Sequence, residues 1–216
     1  IGDVNEAGAA SVAVNGNSTR FETSDELTIK AVDTDNKEVT QTTTVAALGK
    51  WNAALDVSGL KDGTITVTVN GTNDLGAPAE EAGTTFTLTQ TKPTVDDSQT
   101  SINPTYAVAG AEVKVTATFD KDVTTPTGST LGTAAINWTA HSDTRTEWVG
   151  MVNVEPVADS VKSLTLTLKG FQDAAGNTGV EYRLDNALAI TPTLTLEKIG
   201  DVNEAGAASV AVNGNS

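Results

Sequence analysis

The sequence predicts an all-β chain of β-sandwich domains in series, and three observations carry that expectation. Apolar and polar residues alternate with period two in short runs, no stretch sustains helical periodicity, and the opening IGDVNEAGAASVAVNGNS returns letter for letter at 199–216. Strict alternation puts successive side chains on opposite faces of a half-buried strand. A perfect long repeat marks a tandem array whose units stack or string together. The chain reads as one period of 198 residues followed by the start of the next copy.

The period itself divides. Pro93 follows the alternating run TFTLTQT, Pro192 stands in the same relation to a second strand, and the two prolines are 99 residues apart, half the period. Trp51, Leu55 and Val57 match Trp148, Val152 and Val154, and Asp74 in TNDLG matches Asp173 in QDAAGN. Two diverged domains therefore alternate: 1–92, 93–191, and in 192–216 the first strands of another copy of the first type. About 100 residues is the commonest domain size and buries one modest core.

In order along the first unit, the strands are ASVAVNG, DELTIKAV, EVTQTTTVAA, KWNAALDV, TITVTVN and TFTLTQT; EVKVTATF and SLTLTLK repeat the pattern in the second. Each is bounded by Gly, Asn, Asp or Pro, and Thr and Val dominate because β-branched side chains suit a pleated surface. Short strands at this spacing indicate tandem immunoglobulin-like β-sandwiches with Greek-key connections, arranged as an extended rod. No disulfide braces them, since there is no cysteine. Six strands leave the first sandwich one short of seven. The missing strand type is visible at PTLTLEKI, residues 192–199, just before the second GDVNEAG. Residues 192–216 are therefore expected to offer strand exchange between molecules, by addition at an open sheet edge.

Composition narrows the function. Aromatic residues make up 4%, so the cores must be aliphatic. The net charge of −15 repels nucleic acid and anionic membranes. No signal peptide or 20-residue apolar span is visible, so no membrane insertion is expected, and a chain that does not begin with Met fits a piece of something larger. The single histidine, His141, lies in a polar loop, and no glycine-framed serine, phosphate loop or His-rich motif places a nucleophile beside a base. An enzyme is not expected.

The acidic loops are the candidate site. If the first strand of a unit descends, GDVNEAG is a lower loop, and TDNK and LKDG lie at the same pole. This gathers Asp3, Asn5, Glu6, Asp35, Asn36 and Asp62, and the linker adds Asp96 and Asp97. In the second domain QDAAGN precedes the last strand, so Asp173 and Asn177 face the junction from the other side. Such a cluster repels itself unless neutralised, at roughly 1 kcal/mol per close pair even in water. Calcium accepts 6 to 8 oxygen ligands from flexible loops and would resolve the repulsion. Ordinary Asx turns would explain each residue singly.

GDVNEAG after PTLTLEKI, then KWNAALDVSGLKDGTITVTVNGTNDLG, resembles the bacterial immunoglobulin-like repeats of giant secreted adhesins of the RTX, type I-secreted kind. The second domain, with FDKDV and GFQDAAGNTG, resembles a sister type. The resemblance implies an extracellular, cell-surface extender that holds a terminal ligand-binding domain away from the cell in adhesion and biofilm, with neighbouring repeats as its partners and calcium stiffening the junctions. Carried over by position, Asp3 and Glu6, with their copies Asp201 and Glu204, fit the family's acidic loop, and Asp74 and Asp173 fit its Asp-x-x-Gly turn. TNDLGAP lacks the final Asn of that turn.

Two other roles are weighed. A carbohydrate- or surface-binding module needs exposed aromatics; Trp51 and Trp148 begin alternating runs and read as core, which leaves Trp138. Thr-x-Thr strands such as TITVT would suit ice binding, but alternating threonine is the usual solvent face of a sheet.

Overall fold

The computed structural model describes residues 2–140 and 143–196, together with 214 and 215. Asp201, Glu204 and His141, named above, lie outside the described residues. The first sandwich contains β1 (Val4–Asn5), a single helical turn α1 (Glu6–Ala9), β2 (Val12–Asn17), β3 (Glu26–Val32), β4 (Glu38–Thr44), β5 (Lys50–Leu55), β6 (Gly63–Gly71) and β7 (Ala82–Thr89). The second contains β8 (Ser101–Asn103), β9 (Tyr106–Ala107), β10 (Glu112–Thr118), β11 (Thr130–Leu131), β12 (Ala134–Ala135), β13 (Asn137–Ala140), β14 (Glu147–Asn153), β15 (Ser163–Leu168) and β16 (Tyr182–Ile190). Beyond it β17 (Thr195–Leu196) pairs with β18 (Gly214–Asn215).

Sheet order shows the two sandwiches to be one topology. In the first, β1-β7-β6-β3-β4 faces β2-β5; in the second, β9-β16-β15-β11-β12 faces β8-β10-β14-β13. Strand β1 runs parallel to β7, as β9 does to β16. Both are immunoglobulin-like, and in the second the opening strand is split between the sheets as β8 and β9. The second domain carries β8 on the outer edge of β10 and β13 on the outer edge of β14. In the first, β2 and β5 form a two-stranded sheet among the described residues.

Alternation in the sequence sets the two cores. Leu27, Ile29 and Ala31 of β3 point inward with Ile65 and Val67 of β6, and all are buried. In the second domain Val113, Val115 and Ala117 of β10 face Leu164, Leu166 and Leu168 of β15 in one cluster. Burying each of these valine, leucine and isoleucine side chains contributes about 1.5 to 3 kcal/mol. The core is aliphatic as composition requires, with one aromatic centre: Phe171 is wholly buried and its ring lies 4.7 Å from that of Phe119. A Cβ on Gly179 would lie 1.9 Å from Phe171 Cε2, so only glycine lets the loop close over the ring.

Trp51 and Trp148 stand at equivalent register positions of β5 and β14, as expected, but they differ in burial. Trp148 is buried and its Nε1 donates to the Arg145 carbonyl at 3.1 Å. Trp51 is half-buried and lies over its cross-strand partner Gly16, where a Cβ would come within 2.4 Å of the ring. Trp138 lies over its own partner Gly150 in the same way. An indole folded over a glycine covers exposed strand backbone, which takes Trp138 out of the open-platform role a glycan-binding module needs.

Candidate functional site: the joint between the sandwiches

One turn recurs three times with the same hydrogen bonds. An Asx residue at its first position accepts two backbone N–H groups at Oδ1: Asp33 from Asp35 and Lys37, Asn73 from Leu75 and Ala77, Asp173 from Ala175 and Asn177. The residue three further on donates its N–H to the first residue's carbonyl. That residue is left-handed in each case: Asn36 (φ 63°), Gly76 (φ 77°) and Gly176 (φ 84°). Glycine and asparagine tolerate this conformation at least cost. The expected match of Asp74 with Asp173 is therefore displaced by one residue: Asn73 occupies the turn and Asp74 is exposed. In TDNK the same correction moves the buried position from Asp35 to Asp33, which is 6% exposed.

The third copy of the turn docks onto the first sandwich. Asn177 is 3% exposed; its Oδ1 accepts the Glu6 N–H at 2.9 Å and its Nδ2 donates to the Thr89 carbonyl at 2.9 Å. The same Nδ2 donates to Asp173 Oδ2 at 3.0 Å, so the amide is fixed from both domains. Asn5 replies by donating Nδ2 to the Ala175 carbonyl at 3.1 Å, while its Oδ1 caps α1 at the Gly8 N–H. A Cβ on Gly176 would also lie 3.3 Å from Asn5 Nδ2, a tight contact at this bond. Lys92 pairs with Glu6 at 3.2 Å, and Lys121 donates to the Thr91 carbonyl at 2.8 Å, holding the linker from both sides.

The structure brings Asn5, Glu6, Asp173 and Asn177 together at the joint; the other expected ligands are placed elsewhere. Asp3 accepts from the Thr87 N–H at 3.1 Å. Asp35 pairs with Lys61 at 3.0 Å. Asp62 accepts from the N–H groups of Gln90 and Thr91 and from the Thr91 hydroxyl, at 2.8, 2.9 and 2.6 Å, and so anchors the start of the linker. Asp96 accepts from the N–H and hydroxyl of Ser98, and Asp97 accepts from the Tyr182 hydroxyl. Among the described residues no three His, Cys, Asp or Glu side chains gather in a group that could hold a metal ion. As placed, these carboxylates are spread over separate contacts with backbone N–H groups and lysines.

Electrostatics follow the same contacts. The Lys61 N–H, with those of Lys37 and Asp35, holds the Asp33 carboxyl below the usual carboxylate range despite desolvation. For Asp62, desolvation pushes the carboxyl up, but the Thr91 hydroxyl and the N–H groups of Thr91 and Gln90 outweigh it and leave it lowered. Desolvation, with Asp97 as acceptor, pushes the Tyr182 hydroxyl up to about 12. Sequence reasoning missed Asp33, Thr89, Lys92 and Ala175; two of these act through backbone carbonyls, which leave no composition signal.

No family model matches the chain, and no curated protein matches it. Among solved structures it is similar to a tetra-tandem repeat in the extending region of a large adhesion protein, at 17% identity and a TM-score of 0.31 over 95% of this chain. It spans about half, 52%, of that structure's length. It is also similar to the extracellular portion of mouse CD200RLa, at 9% identity and TM-score 0.30, covering 88% of this chain and 98% of that one. The fibronectin(III)-like modules of Clostridium thermocellum CbhA match at 11% identity and TM-score 0.29, covering 88% of each chain. No helix among the described residues is long and apolar enough to cross a membrane.

Proposed function

We propose that this chain is a segment of the extracellular stalk of a bacterial surface adhesin, an extender whose tandem sandwiches project a terminal binding domain from the cell. Type I secretion and a role in biofilm belong to the same proposal and come from the resemblance in GDVNEAG and GFQDAAGNTG. The observation that carries the mechanical part is Asn177, buried between the domains and bonded to Glu6 and Thr89 on one side and Asp173 on the other.

A stalk has to resist bending. Two sandwiches on a free linker would swing, and the mean reach of the array would grow only as the square root of its length. A joint with hydrogen bonds on both flanks removes that freedom. In this proposal direct protein contacts stiffen the joint; calcium, which the sequence led us to expect, is the alternative source of stiffness. Small-angle scattering in millimolar calcium and in EDTA separates the two. A long, narrow particle of the same maximum dimension in both supports the direct joint. A particle that shortens in EDTA overturns it in favour of calcium, and a compact or flexible particle in both conditions rejects the extender.

A further inference from the structure

The second sandwich is entered at one pole and left at the other, and the segment that enters it is tied to the strand that leaves. Residues 94–107 come in from the joint and first follow β10. The Asp96 N–H donates to the Thr118 carbonyl at 2.7 Å, Val95 bridges Phe119, and β8 continues along the same edge with Ile102 opposite Val115. The segment then crosses to the other sheet as β9 and pairs with β16, Tyr106 opposite Ala189 and Ala107 opposite Ile190. There the Ala189 N–H donates to the Thr105 carbonyl at 3.0 Å and the Thr191 N–H to the Ala107 carbonyl at 2.9 Å. Side chains make a third tie: the hydroxyl of Tyr182, the first residue of β16, donates to Asp97.

Direction decides how these ties carry load. Strand β16 begins after the Asp173 turn at the joint and runs away from it, and β9 is parallel to β16. A pull along the chain therefore draws the entering segment toward the joint and draws β16 away from it by its far end. The two can part only by sliding lengthwise. Bonds across a sliding pair share the load and have to break together, whereas a pair opened from one end gives up its bonds one at a time. The ties lie at both ends of β16, with Tyr182 at its first residue and Thr191 just past its last.

We propose that residues 97–107 and β16 form a mechanical clamp, the element that keeps the second sandwich folded when the chain is stretched, with Asp97–Tyr182, Thr105–Ala189 and Ala107–Thr191 as its ties. The first of these is the part that side chains supply: a phenol on the leaving strand and a carboxylate on the segment emerging from the linker. The clamp rests on the extender reading for the source of the pull and on these bonds for its resistance. The two fail separately, since scattering decides the first and applied force the second.

Force spectroscopy on the whole chain tests it. The chain has no cysteine, so an introduced one serves as a unique handle. Pulled by its two ends, the parent should show two unfolding events. In Tyr182→Phe one of them should occur about three- to tenfold faster at a given force, because forced unfolding follows the unfolding rate and one shared bond is gone. Asp97→Ala should act as Tyr182→Phe does, and the double variant should go no further. Val108, which follows β9 and is 45% exposed, offers the second direction. Pulled between Val108→Cys and the C-terminal end, β9 and β16 open from one end, so the domain should extend at a clearly lower force, with Tyr182→Phe making no difference. End-to-end resistance unchanged in Tyr182→Phe, or equal resistance in the two directions, overturns the proposal.

Discussion

The side-chain carbonyl of Asn177 accepts the backbone N–H of Glu6 at 2.9 Å, across 171 positions of sequence, and through this bond the second sandwich holds the first turn of the other. Glu6 opens α1, so the bond satisfies one of the N–H groups a helix start leaves unpaired. The tie is between domains, yet one partner is the backbone of a four-residue turn.

Asn177→Ala should therefore loosen the joint while each sandwich stays folded. Losing the partner of a part-buried N–H costs about 1 to 2 kcal/mol. Amide exchange at Glu6 should accelerate about five- to thirtyfold, with exchange in β10 and β15 unchanged. Unaltered protection at Glu6 would show that Asn177 does not hold it.

Acid should attack the first sandwich. Asp33 and Asp62 have folded-state carboxyls lowered from the ordinary 3.8. Their stabilisation is present above that value and is lost as pH falls through it toward the lowered folded values. Thermal unfolding followed from pH 7 down to 2 should show the first domain weakening below pH 4. In Asp33→Asn the melting temperature at neutral pH should fall, while Asp35→Asn, at an exposed position, should stay near the parent.

Alkali should act on the second sandwich. Tyr182 is raised from 10.0 to about 12, so the bond to Asp97 contributes below pH 10 and is lost as pH rises from 10 toward 12. Tyr182→Phe removes the bond and with it the part of the alkaline loss that falls in this window. Melting curves between pH 8 and 12 read both effects, and a parent chain with no loss above pH 10 would contradict the assignment.

Gly179→Ala should destabilise the second domain alone. The new methyl would meet Phe171 at a distance no packing tolerates, and overpacking of a filled core costs about 1 to 3 kcal/mol or more. Calorimetry should show one transition shifted down and the other in place; two shifted transitions would mean that the sandwiches unfold as one unit.

Strands were legible because burial on one face writes itself into alternation: ELTIKAV is β3 and TITVTVN lies within β6. The joint was legible only in outline. That QDAAGN meets the GDVNEAG pole followed from counting strand directions, but which atom acts did not. An Asx turn fixes its register by the left-handed residue three positions on, so Asn36 and Gly76 identify Asp33 and Asn73 as the turn residues. Counting back from those positions finds them, whereas the acidic residues alone point to Asp35 and Asp74. Short pieces such as β9 and β11 carry two residues each and leave too little pattern to read.

Residual dipolar couplings of the two sandwiches, measured in calcium-free buffer, test the central claim most directly. A direct, hydrogen-bonded joint predicts one shared alignment tensor of equal magnitude for both domains, which splits into two in Asn177→Ala. Two unequal tensors in the parent chain without calcium would contradict it, and their merging on addition of calcium would assign the stiffness to the ion.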